Sequence, residues 1–420
     1  MVTTPAREGP ADEGGYDPMR QFAELAGDVR DPYPMLADVR AGSPVMRVDL
    51  EAQPGWRRLA ERAPRMPPLF TIFGHEYVQQ VLTDNERFSS ASYAMTMEPV
   101  MGRTILQMDP PEHLRHRALV ARAFRARVLE QWSDEVVGVA ISELIDEFVG
   151  DGRADLVRQL TFPFPVQVIA RILGLPEADW PRFRRLSGEL IAVTRQWDRA
   201  VAASRELRAY FADIIVARRR DTRDDLISQL VRADVEGHRL TDEEIYPFLL
   251  LLLPAGIETT YRSSGNLLFA LLTHHGQLAA VRADRGLVPQ AIEEALRWEP
   301  PLLTVTRTAV TDVELGGVSV PAGALIAVSL GAANRDPGRY ADPDAFDIFR
   351  PPGQHLSFGD GPHRCLGMHL ARLETRVLLN AVLDRLPGLR LDPAADDPHI
   401  HGLIFRSPPD LPVLFDAGAS

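Results

Sequence analysis

An apolar pattern with helical spacing runs from Thr241 to His275 and sets the scale of what this chain can build. At 1.5 Å per residue it predicts a helix roughly 50 Å long, enough to cross a whole domain. Thr241-Asp242-Glu243-Glu244 has the form of a capping box, and Gly276 after His274 and His275 supplies a stop. Inside the pattern, Pro254 has no N–H, which frees the carbonyl of Leu250 and predicts a kink. The longest uncharged apolar run, Tyr246 to Ile257, is too short to span a bilayer and contains Pro247 and Pro254.

Residues 112–126, 133–149, 163–173, 180–193 and 200–219 show the same three-and-four spacing, as does 367–385 before Pro387-Gly388. Residues 43–49 and 69–73 and the stretch 304–328 read as short strands, with 51–68 an excursion between the first two. The expected fold is therefore mainly α with small β-sheets (α+β). No repeat or linker divides it. Residues 1–18, polar and rich in Gly and Pro, are expected as a loosely ordered arm, and 19–420 as a single domain.

With 45% hydrophobic residues the chain can bury a large core, and its net charge of −12 argues against nucleic-acid or anionic-membrane partners. The N-terminus lacks the apolar stretch of a signal peptide, and no membrane anchor is expected. A single cysteine, Cys365, excludes an intramolecular disulfide and suits a cytoplasmic setting.

A lone cysteine is most often a small buried hydrophobe. The neighbours of this one change that reading: Phe358-Gly359-Asp360-Gly361-Pro362-His363-Arg364-Cys365-Leu366-Gly367. Gly359 and Gly361 permit a tight turn with inward-facing amides, and the helix expected from Gly367 would favour a thiolate at its start. Phe358 can shield the sulfur, and Gly367 lets a flat ligand approach the backbone. This segment resembles the haem-binding loop of the cytochromes P-450, Phe-Gly-x-Gly-x-(His/Arg)-x-Cys-x-Gly. A chance match is expected in roughly one chain in 10⁵ of this length.

The resemblance runs from about Asp31 to Pro412 and implies a haem b enzyme with Cys365 as the axial iron ligand. It implies that Ala255, Phe358, Gly359 and Gly367 lie against the haem. In Ala255-Gly256-Ile257-Glu258-Thr259-Thr260, it assigns Thr259 to orienting O2 and water and Glu258 to relaying protons. The bland alternative is that Thr259 only bonds back to a carbonyl one turn earlier. It makes Glu294, Arg297 and Arg350 a buried network that fixes the cysteine loop. His113, Arg117, Arg307 and His363 would hold the propionates, because charge-assisted bonds suit carboxylates. His116 has no counterpart and reads as surface.

The function implied is monooxygenation, hydroxylating or epoxidising a lipophilic small molecule with O2. Tyr93, Met95, Met97 and Met101, then Leu302, Leu303 and Val305, then Leu403, Ile404 and Phe405 are apolar and match the family's pocket walls. No flavin or nicotinamide motif appears, so a separate ferredoxin and its reductase are expected to supply electrons to a monomeric enzyme. Some of Arg115, Arg122, Arg364 and Arg372 are expected to form a basic docking patch; the bland alternative is that these arginines are solvated or paired internally. Rival readings are a haem-thiolate peroxygenase or isomerase, in which the acid–Thr pair is often replaced, and a non-enzymatic haem sensor or ligand carrier.

Overall fold

The computed structural model describes residues 29–48, 67–121, 124, 132–191, 196–235 and 237–417. The expected arm at 1–18, most of the 51–68 segment, and Arg122 lie outside the described residues. The fold is mostly helical with small sheets, as the periodicity predicts.

Eight helices carry the argument: α1 (His75–Thr83), α2 (Glu112–Ala121), α3 (Pro163–Ile172), α4 (Trp197–Arg220), α5 (Asp242–Leu253), α6 (Thr259–Thr273), α7 (Val288–Trp298) and α8 (Met368–Arg385). Strands β1 (Val45–Val48), β2 (Leu69–Ile72), β3 (Phe88–Ser89), β4 (Thr304–Ala309) and β5 (Leu325–Ser329) form a five-stranded sheet in the order β1-β2-β5-β4-β3. β1 and β2 pair antiparallel with Val45 opposite Ile72, whereas β5 joins β2 in parallel. A smaller sheet pairs Pro412–Leu414 with Arg153–Asp155 and Arg390–Leu391. One apolar core fills the helical part, and a second lies against the large sheet around Phe70, Ile72, Phe88, Ile326 and Val328.

The long apolar pattern becomes α5 and α6 joined without a break by a π turn over Pro254–Glu258. Missing the Pro254 N–H, the chain widens by one residue here instead of ending the helix. At the start of α5 the capping box is complete, with the Glu244 carboxylate accepting from Thr241 N at 2.8 Å. Such a cap contributes about 1 kcal/mol. α6 ends at Thr273, and His275 opens a new helix where Gly276 was expected to be a stop.

Glu244 has a second partner that corrects the reading of His116. Its ring is buried on α2, with Nε2 2.9 Å from Glu244 Oε1 and Nδ1 3.1 Å from the Glu112 carbonyl. The contact joins residues far apart in sequence, so helical periodicity could not reveal it.

Candidate functional site

The cysteine loop is a tight turn laid against α1. Gly359 and Gly361 both take φ 67°. A side chain at Gly361 would place its Cβ 2.5 Å from the Leu82 carbonyl oxygen, so only glycine lets the loop approach α1 this closely. Gly359 N donates to Leu356 O, and Cys365 N donates to Phe358 O, each at 2.8 Å. Cys365 thus sits three residues ahead of α8. Burial in the surrounding protein pushes its thiol up, while the Gly367 N–H, Arg117 and Arg372 act in the opposite direction.

Four residues proposed from sequence meet at the cysteine loop. The rings of His113 and His363 stack at 4.0 Å with a 35° tilt. Arg117, also on α2, donates to the Arg364 carbonyl, and Arg307 reaches in from β4. Burial and then the Arg117 charge hold His113 down to about 4. Burial and then His113, Arg307 and Arg117 hold His363 down to about 3. Both ring nitrogens of His113, and His363 Nε2, Arg307 Nε and Arg364 Nε, are buried without a hydrogen-bond partner. A buried group of nitrogens that repel one another's charge, with acceptors missing, has the chemistry of an anion site.

On the long helix, Ala255 is exposed and Thr259 half-buried. The Thr259 hydroxyl donates to Ala255 O at 2.7 Å, the back-bond to the previous turn that is common for helical threonine. The Glu258 carboxylate turns to Arg262, whose Nη2 and Nε lie 3.1 and 3.3 Å from Oε1. Burial pushes Glu258 up, and the Arg262 charge opposes it.

Glu294, Arg297 and Arg350 meet as a buried network. Arg297 Nε and Nη2 each donate to Glu294 at 2.7 Å, and Arg350 Nε donates at 3.3 Å. Arg297 also donates to the carbonyls of Asn334, Pro343 and Ala345. Asn334 accepts from Leu356 N at 2.8 Å and donates to the Ser357 hydroxyl, so the network reaches the base of the cysteine loop.

Three features escaped sequence reasoning. Arg372, a candidate for the basic patch, takes the alternative of internal pairing and is bound to Glu293, the partner not foreseen, through two hydrogen bonds of 2.7 Å. Its guanidinium lies 4.6 Å from the centre of the Phe358 ring. Glu293 is pushed down to about 2: hydrogen bonds from Arg372 and His355 outweigh its burial, the largest single influence. The Glu293 to Arg372 spacing gives no signal, because no helix repeat relates α7 to α8. Glu374, buried on α8, has the Thr260 hydroxyl at 3.4 Å as its partner. A glutamate on an apolar helix face was the available clue.

Haem requires an axial donor, a flat gap and partners for two carboxylates. Cys365 offers the donor, and the unpartnered nitrogens of His113, His363, Arg307 and Arg364 offer the partners. A Cβ on Gly367 would meet no protein atom within 4 Å, so the backbone beside the cysteine is open to a flat ligand. The residues present fit the group.

Comparison with known proteins agrees with this chemistry. The family model "Cytochrome P450" matches residues 166–402. Cytochrome P450 monooxygenase PikC of Streptomyces venezuelae is 38% identical over 385 residues, covering 89% of each chain. Mycinamicin IV hydroxylase/epoxidase of Micromonospora griseorubida is 38% identical over 84% of this chain and 91% of its own. The crystal structure of CYP109E1 from Bacillus megaterium with testosterone superposes with a TM-score of 0.82 at 31% identity, covering 92% of this chain and 99% of that one. Likeness of this extent in both sequence and fold means that the chain belongs to the cytochrome P450 family, as one of its haem-dependent monooxygenases.

Proposed function

We propose that residues 19–420 form a single haem b monooxygenase domain that hydroxylates or epoxidises a lipophilic small molecule. O2 would be the oxygen source, and a separate ferredoxin with its reductase the electron source. The observation that carries this reading is the group of unpartnered buried nitrogens on His113, His363 and Arg307 at the Cys365 loop. When bound, thiolate-ligated haem supplies oxygen activation, because the sulfur pushes electron density toward the metal.

Every other role belongs to the chain. Cys365 would hold the haem iron through its sulfur, and Phe358, held between Arg372 and His355, would shield one side of that sulfur. His113, Arg117, Arg307 and His363 bind the propionates, while Ala255, Gly359 and Gly367 leave room for the ring. The Thr259 hydroxyl, its proton committed to Ala255 O, offers lone pairs that can accept from water or substrate. Glu258 relays protons to that position. The network of Glu294, Arg297 and Arg350 holds the loop and takes no part in the chemistry.

Met95, Leu403 and Ile404 are exposed apolar residues on stretches that match the family's pocket walls, which supports a lipophilic substrate. A steroid, the ligand in the CYP109E1 structure, is a fitting first probe. No helix among the described residues is long and apolar enough to cross a membrane.

The test is spectroscopic. Reduced protein under carbon monoxide should show the strongly red-shifted Soret band of thiolate-bound iron, and Cys365→His should abolish it. Persistence of the band in that variant would remove Cys365 as ligand.

A further inference from the structure

Arg262 lies one turn beyond Glu258 on α6, with 2% of its surface exposed. A buried ion pair adds little net stability, because taking both charges out of water costs about as much as their attraction returns. Stability alone therefore does not explain an arginine in this position. Its guanidinium is used on three sides. Nε and Nη2 hold Glu258 Oε1, Nη1 donates to the Ser407 hydroxyl at 3.0 Å, and its plane lies 5.4 Å from the centre of the Phe405 ring. Ser407 also hydrogen-bonds the phenol of Tyr261, the residue before Arg262.

Ser407 closes a small loop by pairing with His401. Between them, Leu403 and Ile404 stand at the apex, 47% and 56% exposed. The base is fixed by Arg406, whose Nε donates to Glu299 at 2.7 Å, while the apex is tied to the chain before β4 by Leu303 N donating to Ile404 O at 2.7 Å. A displacement of the apex therefore has a hydrogen-bonded route into the long helix through Ser407 and Arg262. Among the described residues, Arg262 is the charge acting on Glu258, and Tyr261 is the titratable neighbour that feels it. α3 and residues Trp180–Ile191, packed on the π turn, bring no further charge to bear on it.

We propose that Arg262 is a positioning residue that ties the 401–407 loop to the Glu258 carboxylate, so that a ligand pressing on Leu403 and Ile404 also resets the acid. The functional half of this inference rests on Glu258 relaying protons.

The test uses the ferric holoenzyme and reads Glu258 directly, by infrared difference titration against Glu258→Gln. In Arg262→Gln the carboxyl should protonate on the order of one pH unit or more higher, because burial is then unopposed. Arg262→Lys should restore most of the wild-type titration. Ser407→Ala, which leaves the ion pair intact, should move it upward by a smaller amount, and it decides the matter if Arg262→Gln does not fold. Ile404→Trp, crowding the apex as a ligand would, should shift Glu258 alone but not when combined with Ser407→Ala. An unmoved Glu258 in Ser407→Ala, or in Ile404→Trp, overturns the proposal. The solvent deuterium isotope effect on NAD(P)H consumption separates the two readings. A moved titration with an unchanged isotope effect in Arg262→Gln keeps the positioning role and removes the proton relay.

Discussion

Glu374 on α8 accepts a 3.4 Å hydrogen bond from the Thr260 hydroxyl on α6, and no cation pairs with it among the described residues. Burial pushes this carboxyl up to about 8, so it is neutral in the folded protein at pH 7 and charged in the unfolded chain. A raised folded pKa gives stability that is full below the unfolded value near 4.5 and lost as pH rises toward 8. Glu374→Gln keeps the shape and removes that loss. It should stabilise the protein by on the order of 2–4 kcal/mol at pH 7.5 and by almost nothing at pH 4.5. Urea unfolding at the two pH values checks this, and an equal effect at both would refute it.

The paired histidines give the opposite slope. Their folded values of about 4 and about 3 lie below the usual 6.5, so their contribution to stability is present above pH 6.5 and lost as pH falls toward 4. His363→Gln should therefore flatten the acid side of the apoprotein's stability curve and leave the side above pH 6.5 unchanged. Haem binding at pH 5.5 should take up protons, because carboxylates placed beside these rings raise them again. Calorimetry in buffers of different ionisation enthalpy reads that uptake directly.

Thr259→Ala removes one local back-bond and should leave haem content and probe binding nearly unchanged. Product per NAD(P)H consumed should fall about tenfold or more, with peroxide appearing in its place, if the hydroxyl positions a proton. Unaltered coupling would leave the back-bond as its only role.

Arg115 is exposed on α2, whereas Arg372 is committed to Glu293. Charge reversal at Arg115 should slow reduction by an acidic ferredoxin roughly tenfold at low salt and much less at high salt, with probe binding unchanged. Arg372→Glu should instead weaken haem retention and lower the melting temperature, since it places two carboxylates face to face. Equal salt-dependent effects from the two reversals would restore Arg372 to a docking patch.

Local signals were legible where one segment contained all the relevant residues. The cysteine loop, the capping box at Thr241 and the four-residue spacing of His113 and Arg117 each lie within a few positions. They could be read without knowing the fold. His116 to Glu244 and Arg372 to Glu293 pair elements whose proximity depends on how helices cross, and no periodicity encodes that. Where Pro254 predicts a kink, the helix instead carries a π turn and continues. A missing N–H predicts a lost hydrogen bond, and only packing decides whether the helix bends, stops or widens.

The widened turn at Pro254–Glu258 has a consequence for the chain's phase. A π turn is an α-helix carrying one extra residue, and each residue of an α-helix advances about 100° around the axis. Everything after the turn is therefore rotated relative to a regular continuation of α5. Thr260, which now meets Glu374, and Thr259, which now lies half-exposed beside Ala255, sit about 100° apart as any neighbours on a helix do, and the offset sets the direction in which that pair faces. Deleting Ile257 would restore a regular α-helix only by rotating one end against the other. The two threonines would lose their present faces, although neither had been substituted.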